Sequence, residues 1–78
     1  MKKRTNILWR YLANINPGHF EIHDLENEQS ECQIDEIIAA GHDRPLIGIN
    51  HEYELANWLQ QHPDYDGCKH CLLKFHRK

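Results

Sequence analysis

Cys68-Lys69-His70-Cys71 is the stretch whose residue types and spacing speak most directly of chemistry. Two thiols three positions apart, after the turn-forming Gly67, make half of a tetrahedral metal site, and thiolate suits a borderline-soft ion such as zinc. The rest of the shell has to come from elsewhere in the chain. One further cysteine, Cys32, and several histidines are available. Three thiols and one imidazole complete a zinc shell, whereas an odd number of cysteines argues against a disulfide framework.

His23 leads as the fourth donor, giving the spacing H-x8-C-x35-C-x2-C over His23, Cys32, Cys68 and Cys71. His76 is the second choice, because it continues C-x2-C-x4-H, the start of a knuckle whose closing cysteine is missing. His70 lies inside the C-x-x-C turn, where its side chain is expected to point outward. His19 sits near the hairpin turn, away from the expected site, and His42, His51 and His62 fall at element boundaries and read as surface residues. Two plainer readings stand beside the metal. Cys32 alone is ordinarily a small core residue, and C-x-x-C is also a redox motif. The redox motif belongs at a strand-to-helix junction, and here it follows a helix.

The positioning elements read as follows. Ile7, Trp9, Tyr11, Ala13 and Ile15 alternate with their neighbours as a strand does. Asn16-Pro17-Gly18 is a turn, and Phe20 and Ile22 alternate again, so residues 5–24 are expected to form a hairpin with His23 near the end of its return strand. Leu25 to Gln29 reads as polar loop. Ser30 with Gln33 resembles a capping box opening a helix with Cys32 in its first turn; Ile34, Ile37 and Ile38 give it an apolar stripe, and Gly41 ends it. Asp43-Arg44-Pro45 reads as a break, Leu46, Ile47 and Ile49 as a short buried strand, and Asn50 as the cap of a second helix. That helix carries Leu55, Ala56, Trp58 and Leu59 and stops at Pro63. The expected class is α+β: a small zinc-stabilised domain in the order β-β-α-β-α, followed by the cysteine turn.

One domain spanning 1–78 is the most a chain this short can build, and its thin core invites a metal or a partner as reinforcement. Charged content of 27% with 40% hydrophobic residues excludes a disordered tail. No apolar run is long enough for a membrane span, and the basic start lacks the apolar stretch of a signal peptide, so a cytoplasmic location is expected. The net charge of −3 hides a segregation. Lys2, Lys3, Arg4, Arg10, Lys69, Lys74, Arg77 and Lys78 flank an acidic middle in which Arg44 is the only base. Basic tails at about 1–4 and 74–78 ordinarily only solvate a chain. If the fold brings them together, they would form a face for nucleic acid or another anionic surface.

A histidine on a hairpin strand, a cysteine opening a helix, a short strand, a helix and then a glycine turn with C-x-x-C together resemble the Ada-type metal-binding domain, in its small variants with one histidine and three cysteines. The resemblance covers residues 19–71 and implies one structural zinc held by His23, Cys32, Cys68 and Cys71. In the Ada repair protein a zinc-bound cysteine accepts a methyl group from DNA phosphotriesters; here a histidine stands where that protein has a cysteine, and no nucleophile is carried over. No Ser/His/Asp set, phosphate loop or carboxylate pair marks an enzyme. The expectation is a small binding module with a structural zinc and a protein or nucleic-acid partner. Its rivals are a methyl-accepting repair domain and a dithiol redox protein.

Overall fold

The computed structural model describes residues 9–18 and 20–76. Four strands form one sheet in the order β3-β1-β2-β4: β1 is Tyr11–Asn14, β2 Glu21–Asp24, β3 Asp43–Pro45 and β4 Asp66–Gly67. Two helices, α1 (Ile34–Ala39) and α2 (Glu52–Gln61), join them, with short 3-10 turns at Leu25–Asn27, Ser30–Cys32 and Leu73–Phe75. β1 runs antiparallel to both β2 and β3, while β4 lies parallel to β2.

The hairpin is shorter than its sequence pattern suggests, and the part at residues 5–8 lies outside the described residues. Tyr11, Leu12 and Ala13 are all buried, so β1 is covered on both faces, as a central strand is. In β2 the register sets His23 opposite Leu12 and Ile22 opposite Ala13. The core gathers Tyr11, Leu12, Ile22, Leu25, Ile34, Leu55 and Leu59, with Leu72 from the C-terminal segment.

Several local expectations are overturned. Leu25–Asn27 is a 3-10 turn with Leu25 buried, because the Asp24 carboxylate accepts from Glu26 N–H at 3.0 Å and caps it. The Ser30/Gln33 capping box does not form. Gln33 adopts the left-handed conformation (φ 57°), separating a 3-10 turn that ends at Cys32 from α1, which begins at Ile34. Ile34 and Ile37 are buried, but Ile38 is 44% exposed, since a helix of six residues presents only a narrow stripe. Gly41 does end the helix: at φ 76° it lets its own N–H reach Ile38 C=O and that of His42 reach Ile37 C=O.

The third strand is Asp43–Pro45 rather than 46–49. β1 offers its free edge there, and Pro45, lacking an N–H, is tolerated on the outer strand of the sheet. Leu46 is buried just beyond it, whereas Ile47 is 79% exposed. Asn50 is not the cap of α2. His51 takes that position, and Glu54 Oε1 accepts from the backbone N–H of both Asn50 and His51. Lys74, at the start of the expected C-terminal basic tail, lies in the Leu73–Phe75 turn and pairs with Glu52 at 2.8 Å; Arg77 and Lys78 lie outside the described residues.

Candidate metal centre

Three separate parts of the chain converge behind β2. His23 arrives on β2 itself, where pairing with β1 fixes the strand and burial leaves the ring 2% exposed. Cys32 ends the Ser30–Cys32 turn, and the reversal at Gln33 lets the thiol be buried (5% exposed) while α1 departs in its own direction. Cys68 and Cys71 follow β4. The Cys68 N–H donates to Ile22 C=O at 2.9 Å, continuing the parallel ladder by one bond, and Leu72 N–H closes the turn onto Cys68 C=O at 2.8 Å.

Gly67 is required at this point by crowding rather than by a turn conformation. A Cβ there would stand 2.8 Å from the Phe75 backbone and 2.9 Å from Leu72 C=O. The C-terminal segment thus folds back directly over β4, which holds both cysteines against β2.

The ligand atoms of His23, Cys32, Cys68 and Cys71 all lie within 4.8 Å of one another, and all four residues are buried. Cys32 Sγ is 3.7 Å from Cys68 Sγ, and Cys71 Sγ is 3.8 Å from His23 Nδ1. A zinc tetrahedron with Zn–S bonds of about 2.3 Å has S···S edges of about 3.8 Å and S···N edges of about 3.5 Å. Two edges of the cluster therefore match those of a metal shell, and all four donors, within 4.8 Å of one another, lie close enough to share one ion. A disulfide would need sulfurs about 2.05 Å apart, and all three cysteines are free thiols.

Backbone amides point at the sulfurs. Asp24 N–H donates to Cys71 Sγ at 3.2 Å and His70 N–H to Cys68 Sγ at 3.4 Å, a contact that stabilises thiolate over thiol. His23 Nε2 is buried with no hydrogen-bond partner among the described residues, so protein groups alone leave the imidazole incompletely satisfied. The acidities of the three thiols follow from the same contacts. Donation from the Cys71 thiol, helped by His23 and nearby backbone N–H groups, pulls Cys68 well below an ordinary thiol, against the effect of burial. That same bond, and then burial, push Cys71 up, while burial chiefly raises Cys32. One thiolate forms readily in this cluster and three repel one another; a bound cation is what would let all three ionise.

The other sequence candidates among the described residues are not part of the four-donor cluster. His76 Nδ1 lies 3.0 Å from Gly67 C=O and 3.2 Å from the Asp66 carboxylate, bracing the C-terminal turn. His70 is exposed and His42 half-buried. His51 is exposed, and His62 is half-buried with its ring stacked on Trp58 at 3.9 Å. Of the eight residues proposed for a basic face, Lys2, Lys3, Arg4, Arg77 and Lys78 lie outside the described residues, as does His19. Arg10 forks onto Asp24 at 3.1 and 3.3 Å and approaches Glu26, Lys74 is spent on Glu52, and Lys69 is exposed. The Arg10–Asp24 pair has a role that composition did not disclose. It fixes the carboxylate that caps the 3-10 turn and that belongs to the same residue whose N–H serves Cys71.

Fold and cluster together define a small α+β chain with a buried site of one histidine and three cysteines able to hold a metal ion. No family model, curated protein or solved structure matches the chain. Among the described residues, no helix is long and apolar enough to cross a membrane.

Proposed function

We propose that the chain is a small binding module built around one structural zinc ion held by His23, Cys32, Cys68 and Cys71. The observation that carries this reading is the convergence of four buried donors, from three distant segments, to within 4.8 Å of one another, close enough to share one ion. Three thiolates and one imidazole select zinc over hard cations such as magnesium or calcium. Four protein ligands close the shell and leave no position for a reacting water, which favours a structural role over a catalytic one. The resemblance to Ada-type domains would imply the same structural zinc, and a protein or nucleic acid is the expected class of partner.

Native mass spectrometry of protein purified without added metal tests this reading, with one zinc per chain as the expected result. Metal-free, folded protein with three alkylatable thiols would overturn it. His23→Ala should lose zinc affinity, because the shell is then one donor short. His70→Ala should keep it, because His70 is exposed and contributes only its backbone N–H to Cys68.

A further inference from the structure

A cavity of about 460 Å³ opens beside the cluster. Cys32, Cys68 and His23 line it, so three of the four cluster residues face a space that side chains could have filled. Cys71 is not among its lining residues; that sulfur is held by the Asp24 N–H. The cavity wall also carries Glu31 and Glu36 from the α1 side, Glu21 from β2, and Lys69 and His70 from the cysteine turn; its three carboxylates outnumber the one ammonium, and Glu31, Glu36 and His70 are exposed. The inner and outer donors differ in kind. Thiols and a buried imidazole are the donors that suit a soft cation, while exposed carboxylates and an imidazole hold divalent cations weakly and briefly.

We propose that this cavity is the passage through which the metal ion exchanges. Glu31, Glu36 and His70 receive an incoming divalent cation and deliver it to the Cys32, Cys68 and His23 side of the cluster, with Cys71 as the fixed ligand at the closed side. Replacement of one divalent ion by another leaves charge and ligand protonation unchanged, so no further reactant is needed. A centre of this kind holds its metal tightly at equilibrium and still trades it with other metal-binding species. This inference rests on the metal-centre reading above.

Cadmium displacement of zinc from the zinc-loaded full chain tests it, followed by the ultraviolet absorption of cadmium thiolate. The displacement rate should rise with cadmium concentration. Ala40→Trp places bulk in the cavity wall from an exposed position and should slow displacement on the order of tenfold, with zinc content and the far-ultraviolet spectrum unchanged. The Glu31→Gln/Glu36→Gln variant should slow it on the order of threefold per carboxylate at low salt, and the difference should vanish at high salt. This double variant keeps the test open if the tryptophan disturbs folding. Tyr53→Ser, exposed and outside the cavity, should exchange like the parent. A rate independent of cadmium concentration and equal in all variants would overturn the passage, since it would mean release by opening of the fold. A chain that takes up no zinc at the outset would instead overturn the metal-centre reading itself.

Discussion

The hairpin half of the molecule and its cysteine half are held by different forces. β1, β2 and β3 share a backbone ladder of seven paired positions, and Tyr11, Leu12, Ala13 and Ile22 are each no more than 2% exposed. The segment 66–76 has two paired positions with β2, and its buried side chains are Asp66, Cys68, Cys71 and Leu72. The first half thus has more main-chain pairing and apolar burial of its own, and if the proposed zinc is bound, its loss should loosen the second half before the first.

The largest effect should come from removing the metal. Structural zinc contributes an apparent free energy of roughly 10–16 kcal/mol in small domains, against the roughly 3–5 kcal/mol that a core of this size supplies. Chelation, or Cys68→Ala, should release residues 66–76, with loss of amide protection there and at Asp24, whose N–H is bonded to Cys71 Sγ. An amide spectrum unchanged by chelator would erase the contrast between the halves.

Leu55→Ala strikes the other half. Leu55 is fully buried in α2, and deleting its side chain should cost about 2–5 kcal/mol. Chemical denaturation of the zinc-loaded and chelated variant should show the loaded form folded and the chelated form unfolded throughout. Equal stability of the two would mean that the metal does not reinforce the core.

Gly67→Ala tests the crowding between the halves. A new methyl group 2.8 Å from the Phe75 backbone has to push the C-terminal turn away, at a cost of about 1–3 kcal/mol, and should weaken zinc binding with it. Retained zinc affinity would show that the turn moves without disturbing the cysteines.

Tyr11→Phe should have the smallest effect, and a favourable one. The phenol hydroxyl is buried without a hydrogen-bond partner among the described residues, so removing it should stabilise the hairpin half by about 1 kcal/mol. Burial also pushes the Tyr11 pKa from 10.0 up to about 12. A raised pKa means stability that is complete below pH 10 and is lost between pH 10 and 12, as the unfolded chain ionises first. Denaturation midpoints across that window should fall for the parent and stay flatter for Tyr11→Phe.

Which parts of this arrangement the sequence discloses depends on the range of the forces involved. Cys68 and Cys71 are conspicuous because thiols at that spacing have few other uses, and His23 and Cys32 follow because the pair needs partners. The second helix is equally plain, since Leu55 and Leu59 recur at helical spacing and Pro63 follows. The start of α1 misleads because Ser30 and Gln33 have the chemistry of a capping box, yet Gln33 itself takes the left-handed conformation that separates the Cys32 turn from the helix. β3 and β4 are hidden for another reason. Asp43-Arg44-Pro45 and Asp66-Gly67 are poor strand formers that extend only because an edge of β1 or β2 is waiting for them. Gly67 reads as a turn glycine, while its actual role, making room for Leu72 and Phe75, depends on residues that only the fold brings near.

The parallel pairing of β4 with β2 also sets the order in which the chain can assemble. Hairpins close within microseconds, but joining Ile22 to Gly67 closes a loop of 45 positions, with an entropic cost of about 3 kcal/mol before any contact repays it. Contacts of such long range form late. Cys68 and Cys71, by contrast, are neighbours in the chain and can share a zinc ion while everything else is still open. The metal would then travel with the last segment to fold and, on reaching His23 and Cys32, fasten it in place. Refolding monitored by tryptophan fluorescence should therefore be faster with zinc present, and identical rates with and without it would contradict this order of events.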